Sequence, residues 1–250
     1  MSPEALHLQR LANQRLETEL LLGVDFFPVT TEYSESQAPV SEGTADQESS
    51  RQDKNTALKE LSERAITAFP FCESLSQATQ PVFGEGDVDA RLMFIGEAPG
   101  AEEDRTGRPF VGAAGQKLDQ MIAALGYSRE EVYITNILKA RPPENRTPTS
   151  DEIASSTPWL IDQIRIIKPE VIMTLGGPAT QFILDTSEGI TRLRGRWGAY
   201  TDDALHIPVM PTFHPAYLLR NYTKETRLQV WNDFQKVMEL LGLQTQEDKK

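Results

Sequence analysis

Residues 94–104 read FIGEAPGAEED, and this stretch decides the fold. The apolar run Leu92–Ile95 leads directly into a Gly/Pro turn at 96–100, and carboxylates follow at 102–104. This order is typical of a buried parallel strand that ends in a loop, and open α/β sheets place their sites at such strand ends. The glycines let the backbone approach a ligand closely, and the proline stiffens the turn. We therefore expect a site at the end of this strand, with carboxylates that activate water or accept hydrogen bonds.

Strand and helix patterns alternate along the rest of the globular region. Strands are predicted at 91–97, 132–138, 171–175 and 208–213, and helices at 57–69, 115–125, 150–167, 179–184 and 228–241. Strands that alternate with helices of ten or more residues form a parallel sheet with helices on both faces. The sequence thus predicts an α/β fold, a three-layer α/β/α arrangement around a central four-stranded parallel sheet.

Composition divides the chain into four parts. Residues 1–29 hold an amphipathic helix over 3–22 and a docking segment, and 30–55 are polar and acidic with almost no large apolar residue, which predicts a disordered linker. A globular domain follows at 56–243, and a disordered tail at 244–250. The first helix is tethered, and it either docks on its own domain, docks on a partner or stays frayed.

The charge distribution bears on the type of partner. A formal net charge of -12 argues against a nucleic-acid partner, but residues 1–60 hold 11 of the 37 acidic residues and only 5 of the 25 basic ones. Basic residues also cluster, at 139–146 and at 192–196. Local fields matter more than net charge for binding an anion. The alternative is that these clusters are simply solvated surfaces.

Other features narrow the class of protein. A single cysteine, Cys72, excludes an internal disulfide framework and an all-cysteine metal site within one chain. No run of about 18 apolar residues predicts a membrane span. Residues 1–4 lack the basic region of a secretory signal, so we expect a cytoplasmic protein with no membrane association.

Polar and aromatic side chains follow the predicted strands. Because the carboxyl ends of parallel strands share one rim of a sheet, Glu97, Asn136, Gly176–Gly177 and His214 are expected to converge there, with Phe110 nearby. An aromatic ring, an amide, a carboxylate and an imidazole suit a flat heterocycle with several hydrogen-bonding edges.

Each of these residues also has a structural interpretation. Glu97 is able to cap the following helix or pair with Arg108, and an asparagine at a strand end is often a turn residue. Phe110 is also able to pack in the hydrophobic core. His214, which precedes a proline, is also able to serve only as the end of a strand. The residue types alone leave these alternatives open.

Several motifs together resemble those of family 4 uracil-DNA glycosylases. They are GEAPG at 96–100, GRPFVG at 107–112, TNILK at 135–139, RPPENR at 141–146 and HPAYLLR at 214–220, in the order and spacing of that family. The resemblance covers roughly residues 60–241. It implies a uracil-DNA glycosylase-like fold and an enzyme of DNA repair.

The resemblance also implies roles for individual residues. Phe110 would stack on a flipped uracil, Asn136 would pair with its edge, His214 would donate to its O2, and backbone groups of Glu97 and Ala98 would line the pocket. The candidates for positioning water and stabilising the sugar cation are Glu97, Glu103 and Asn145. Residues implied to contact DNA are Lys139, Arg141, Arg146 and a wedge formed by Leu218, Leu219 and Arg220.

The chain departs from that family at its cofactor. Family 4 enzymes usually carry four cysteines that hold a 4Fe–4S cluster, and the corresponding positions here are Phe69, Cys72, Ala140 and Ser156. One thiolate cannot hold a cluster that needs about four. We therefore expect no cluster and no metal, with Phe69 and Ala140 as a small hydrophobic plug. The loop 139–148 contains no histidine, which disfavours the covalent activity of the crosslinking relatives.

Three functions remain in view. The first is a monofunctional, monomeric glycosylase that removes uracil from single- or double-stranded DNA by base flipping. Residues 3–28 would then bind a repair or replication partner. The second is a uracil- or abasic-DNA binding module with little turnover. The third is an α/β protein whose loop 96–100 cradles phosphate, which is disfavoured because no Lys and Ser/Thr pair follows.

Overall fold

The computed structural model describes residues 44–243, with side chains from residue 48 onward. The predicted helix at 3–22, the rest of the segment 1–29, the first part of the predicted linker and the tail 244–250 lie outside the described residues.

Helices and strands alternate along the described chain much as predicted. In order they are α1 (Thr44–Ala68), β1 (Glu85–Gly86), β2 (Leu92–Gly96), α2 (Ala101–Thr106), α3 (Ala113–Ala124), β3 (Tyr133–Asn136), α4 (Ser150–Ile167), β4 (Val171–Leu175), α5 (Gly177–Ile183), α6 (Ile190–Leu193), β5 (Gly198–Thr201), β6 (His206–Thr212), α7 (Pro215–Arg220) and α8 (Lys224–Leu240). Short 3₁₀ turns lie at Glu73–Leu75, Arg129–Glu131 and Pro143–Asn145.

The strands form one six-stranded sheet in the order β1-β3-β2-β4-β6-β5. The four inner strands are parallel, which confirms the predicted four-stranded parallel sheet. The two edge strands pair antiparallel and were not predicted. β1 has only two residues and β5 is largely exposed or half-buried, so neither has the apolar run that identifies a buried strand.

Alternate residues of the central strands supply two cores, one on each face of the sheet. On β2, Leu92 and Phe94 pack with side chains of α3 and α8, whereas Met93 and Ile95 pack with side chains of α4 and α5. This alternation follows from the two-residue period of a strand. The layering confirms the three-layer α/β/α fold.

The helix α1 corrects one predicted boundary. The prediction of a disordered linker over 30–55 is wrong for residues 44–55, which are helical. Arg51 pairs with Asp87 and Asp89, and Lys54 pairs with Asp89 while donating to the carbonyl of Ile167 at the end of α4. The prediction counted only apolar burial, and these contacts are made by charged side chains.

The site at the sheet edge follows from the order of the strands. The chain leaves β2 to form β3 on one side and later β4 on the other, so β2 lies at a topological switch point. Ligands of open α/β sheets bind beyond the carboxyl ends of the strands at such a point. β2, β3, β4 and β6 end there at Gly96, Asn136, Leu175 and Thr212.

No helix in the stretch from residue 44 to 243 is long and apolar enough to cross a lipid bilayer.

A buried ion pair fixes the end of β6. Asp233 on α8 is almost fully buried and accepts hydrogen bonds from the hydroxyl of Thr212, at 2.8 Å, and from the guanidinium of Arg194. The guanidinium also lies over the ring of Phe213, 5.4 Å from its centroid. Burial raises the pKa of Asp233 even though Thr212 and Arg194 favour its charged form. Arg194, predicted as part of a basic surface cluster, therefore holds the chain next to His214.

Arg194→Ala is expected to lower the free energy of unfolding by about 3 kcal/mol, because it leaves a buried carboxylate without its cation. The matched control is Arg165→Ala, which breaks the exposed pair with Asp202 and costs under about 1 kcal/mol. Urea unfolding of both variants measures the difference. Equal losses would show that the Arg194–Asp233 pair does not fix the end of β6.

Candidate active site at the carboxyl ends of the strands

Gly96 and Asn136 form the centre of the site. They are register partners at the ends of β2 and β3, and their positions face the same side of the sheet. A Cβ atom on Gly96 would collide with Oδ1 of Asn136 and would lie 2.8 Å from Cε2 of Phe110. The missing side chain therefore lets the amide of Asn136 and the ring of Phe110 pack directly against the backbone of Gly96.

The amide of Asn136 is buried and incompletely bonded. Its residue is 2% exposed, and its Oδ1 has no hydrogen-bond partner within residues 44–243. More than nine in ten buried polar groups in proteins have a partner. An acceptor left unpaired at a strand end, beside an aromatic ring, indicates a ligand that supplies the missing donor.

Phe110 is placed by an unusual turn. Its φ is 51°, in the left-handed region that phenylalanine rarely adopts, so its surroundings must hold it there. Glu103 is one cause, since its carboxylate accepts hydrogen bonds from the amides of Val111 (2.8 Å), Gly112 (2.9 Å) and Gly100 (3.1 Å). Glu103 thereby ties the start of α2 to the turn that presents the ring.

Arg129 holds the same turn from the other side. Its guanidinium donates to the carbonyls of Phe110, at 3.1 Å, and Pro109. It also pairs with Glu85 at 2.6 Å and with Asp119 at 2.7 Å. Sequence reasoning missed Arg129, because nothing near it in the chain marks a site.

His214 completes the group. It caps the N-terminus of α7, where its Nδ1 accepts a hydrogen bond from the amide of Ala216 at 3.1 Å. Its ring lies 5.7 Å from that of Phe110 between centroids. Burial, with a contribution from the charge of Arg220, lowers the pKa of His214 to about 4. The ring is thus neutral at physiological pH, and because Nδ1 is an acceptor the hydrogen is on Nε2.

Glu97 provides a carboxylate that the protein leaves unpaired. It directly follows β2 and is partly buried, and burial raises its pKa. Among the described residues no hydrogen bond or ion pair reaches its side chain, and Arg108, the partner considered from sequence, pairs instead with Glu85 at 2.7 Å. Neither structural alternative for Glu97 is observed.

Two further predicted residues are placed apart from this group. Asn145 is exposed on the loop after β3, where its Oδ1 accepts from Arg141 Nε at 2.8 Å. Ala98 packs its side chain with the core under α4 and α5, so only its backbone is available to the site. The structure therefore joins Gly96, Asn136, Phe110 and His214, and leaves Asn145 on the rim.

Comparisons with known proteins agree with this geometry. Residues 83–235 match the family model described as the uracil DNA glycosylase superfamily. The type-4 uracil-DNA glycosylase of Thermotoga maritima is 44% identical over 180 residues, covering 72% of this chain and 92% of that protein. Those of Sulfurisphaera tokodaii and Archaeoglobus fulgidus are 43% and 40% identical over 189 residues, covering 74% and 72% of this chain and 84% and 91% of theirs. The chain belongs to the type-4 uracil-DNA glycosylase family.

Two residues that the family resemblance assigned to DNA contact are placed elsewhere. Lys139 is 0% exposed and Leu218 is 1% exposed, so the prediction that they bind DNA is wrong. The amine of Lys139 points under the sheet edge to three acceptors, and Leu218 packs in the core with side chains of α3. The motifs that contain Lys139 and Leu218 do not indicate whether these side chains point to the surface or to the interior.

The remaining members of that set lie at the surface or close to it. Leu219 is 47% exposed, and Arg220 is exposed next to it on α7. Arg141 lies on the loop after β3, bonded to Asn145 and 4.0 Å from Asp104. Arg146 is exposed in part, but its guanidinium is paired with a buried carboxylate.

The positions of the family's cluster ligands do not fit an iron–sulfur cluster in this chain. Of Phe69, Cys72, Ala140 and Ser156, only Cys72 offers a thiol. Ala140 and Ser156 are fully buried, and the hydroxyl of Ser156 accepts from the Lys139 amide at 3.4 Å. Within residues 44–243, no group of three or more His, Cys, Asp or Glu side chains is arranged to hold a metal ion.

A buried carboxylate joins the same segments instead. Glu152 on α4 is fully buried and accepts from Arg146 at 2.6 and 2.8 Å, from the Ser74 hydroxyl at 2.7 Å and from the Thr149 amide at 2.8 Å. These donors, Arg146 foremost, lower the pKa of Glu152 to about 2. Sequence reasoning missed Glu152, although Thr149 three residues earlier is the signature of a capping box.

The low pKa of His214 predicts a pH-dependent stability. An unfolded histidine titrates near 6.5 and folded His214 near 4, so the unfolded chain binds more protons between these values. The stability that the neutral ring provides is therefore complete above pH 6.5 and is lost as the pH falls toward 4. We expect an NMR titration, assigned with His214→Asn, to give a pKa near 4, and urea unfolding to show wild type losing its advantage over that variant below pH 6.5. A folded-state pKa at 6.5 would contradict the buried neutral ring.

Proposed function

We propose that this protein hydrolyses the N-glycosidic bond of uracil in DNA and leaves an abasic site. The observation that carries the proposal is the unpaired Oδ1 of buried Asn136, which lies beside Gly96 and the ring of Phe110. Membership of the type-4 family supports it, since the relatives carry that name. In this role the enzyme takes the uracil out of the base stack, at a cost of a few kcal/mol that pocket contacts offset.

Recognition of uracil follows from the chemistry of an amide. Uracil presents an N–H between two carbonyl oxygens, and the side chain of Asn136 is able to accept from that N–H with Oδ1 and donate to a carbonyl with Nδ2. Phe110 offers a flat face for stacking, which is favourable for any base. Asn136 therefore supplies the selection for uracil, and Phe110 holds the base in the plane of the amide.

Bond cleavage builds negative charge on the uracil and positive charge on the sugar. The neutral ring of His214 carries a hydrogen on Nε2. Through it His214 donates a hydrogen bond to O2, where the negative charge accumulates. Glu97 is the carboxylate that we assign to positioning water and stabilising the sugar cation. Glu103 is less suited to that role, because three backbone amides already occupy its oxygens.

The surface around the pocket suits DNA. We assign Arg141 and Arg220 to contacts with phosphates, and exposed Leu219 on α7 is the candidate wedge that fills the vacated stack. Arg146 is assigned to holding the loop through Glu152 rather than to direct contact. The predictions of a monomer, of a cytoplasmic location and of a partner for residues 3–28 stay predictions.

We infer that this activity needs no iron–sulfur cluster. The ligand positions offer one thiol, and the Glu152 network already links the segments of Ser74, Arg146 and Thr149. The test measures iron and acid-labile sulfide in the purified full chain alongside activity. Stoichiometric iron and sulfide, with activity lost on their removal, would overturn the inference.

Uracil-containing oligonucleotides test the function directly. The purified chain should make a single-stranded and a U:G duplex substrate alkali-labile at the uracil, without added metal. Asn136→Asp and His214→Asn should each lower the single-turnover rate by orders of magnitude, and their rates are compared at the folded fraction that urea unfolding gives for each variant. Tight binding of abasic DNA without any product would instead support a binding module, and wild-type rates in either variant would refute the pocket assignment.

The close packing at Gly96 gives a further test. In Gly96→Ala the added methyl group collides with the Asn136 amide and the Phe110 ring and displaces them, so uracil excision should fall by at least about 100-fold. Gly189→Ala is the matched control, because a Cβ there meets nothing within 4 Å and its backbone is ordinary. Single-turnover rates of the two variants decide the matter. Equal activity of both would show that base binding does not depend on how Asn136 and Phe110 pack against Gly96.

A further inference from the structure

Lys139 is a buried amine that the proposed reaction does not use directly, and burial lowers its pKa well below the usual value for lysine. It is 0% exposed, and its Nζ donates to Oγ1 of Thr135 at 2.6 Å, to the carbonyl of Asn136 at 2.8 Å and to Oε1 of Gln163 at 2.6 Å. None of these partners is a carboxylate. A buried amine held by neutral acceptors alone costs stability, which indicates a role other than stabilising the fold.

The acceptors are themselves held in place. Gln163 donates to the carbonyl of Phe83 at 2.8 Å and to the hydroxyl of Tyr133 at 3.0 Å, and Thr135 donates to the same carbonyl at 3.0 Å. The nitrogen thus lies within hydrogen-bonding distance of three acceptors, two of which belong to side chains that are themselves hydrogen-bonded. Such a buried network rigidifies the backbone to which it is bonded.

The position of this network relates it to uracil recognition. Thr135 and Tyr133 face the α4 side of the sheet, whereas Asn136 faces the opposite side, where the pocket lies. Lys139 therefore holds the backbone of Asn136 from behind the sheet, while the side-chain amide of Asn136 lies on the pocket side, beside Gly96 and Phe110. The backbone amides of the next two residues, Ile137 and Leu138, donate to the carbonyls of Gly96 and Glu97 at 2.9 and 3.1 Å. The hydrogen bond from Lys139 to the Asn136 carbonyl therefore lies where the pairing of β2 with β3 ends.

We propose that Lys139 is a positioning residue that sets the side-chain amide of Asn136 for uracil by holding its backbone carbonyl. This proposal rests on the proposed function and extends it to a residue that does not touch the base. Without the amine, the carbonyl of Asn136 and two side-chain acceptors lose their donor, and the strand end shifts to find others. A shift of about 1 Å at a recognition group is enough to slow a reaction by about two orders of magnitude.

A double-mutant cycle tests the proposal. Lys139→Met keeps the length of the side chain and removes its donors, and Asn136→Ala removes the amide through which Lys139 is proposed to act. Single-turnover excision at saturating enzyme is measured for wild type, both single variants and the double variant. Affinity for a duplex with a stable abasic-site analogue is measured in parallel, because this duplex contacts the DNA-binding surface of the protein and has no base to enter the pocket.

The expected pattern differs from that of a general loss of structure. Lys139→Met should slow excision by about 10- to 100-fold with abasic-duplex affinity within about twofold of wild type, and should add less than about twofold in the Asn136→Ala background. The proposal would be overturned if Lys139→Met slowed excision by the same factor in the Asn136→Ala variant as in wild type. It would also be overturned if Lys139→Met alone kept the wild-type rate. If the wild-type protein itself excises no uracil, the proposed function is refuted, and this outcome is distinguishable from a failure of the Lys139 proposal alone.

Two further variants keep the outcome interpretable. Arg91→Met is the matched control, since Arg91 donates to the carbonyl of Leu241 and pairs with Glu170 near the start of β2, at the opposite end of the strands. It should lower stability and leave excision unchanged. If Lys139→Met does not fold, Thr135→Val removes one acceptor of the amine, and it should slow excision in the same direction only while Asn136 is present. Additive slowing by Thr135→Val would overturn the proposal in that case.

Discussion

The close packing of Asn136 and Phe110 against Gly96 is the constraint on which the rest of the site depends. The register of β2 and β3 places a glycine beside a buried amide, and a single methyl group there would collide with both Asn136 and Phe110. Glu103 and Arg129 then hold the turn that brings the ring of Phe110 against Gly96. The site is therefore built from backbone positions first, and these positions fix where its side chains lie.

Two buried carboxylates and a buried amine hold the segments around the site. Glu152 fixes the loop after β3, Asp233 fixes the end of β6 and Lys139 holds the end of β3, each with its hydrogen-bonding capacity met by named partners. Ionisable groups in such positions add little net stability, but they allow few alternative arrangements of the backbone. A cluster ligated by four cysteines would constrain similar segments, and here ion pairs and hydrogen bonds do so with one cysteine in the sequence.

The sequence predicted the parts of the fold and site that depend on periodicity and on strand ends. Apolar runs located the four parallel strands. Asn136 at the end of β3 and His214 shortly after β6 were identified because parallel strands end on one rim of the sheet. Side-chain direction was not predictable: Lys139 in a basic motif turned inward to three acceptors, and residues 44–55 became helical through ion pairs with Asp87 and Asp89. Such contacts join residues far apart in sequence, so a local pattern does not contain them.

A crystal structure of the full chain with free uracil tests the central claim most directly. We expect the base on the pocket side of β2 and β3, stacked on Phe110, with its N–H donating to Oδ1 of Asn136 and its O2 accepting from Nε2 of His214. Uracil bound elsewhere, or bound there with the oxygen of Asn136 still unpaired, would contradict this assignment.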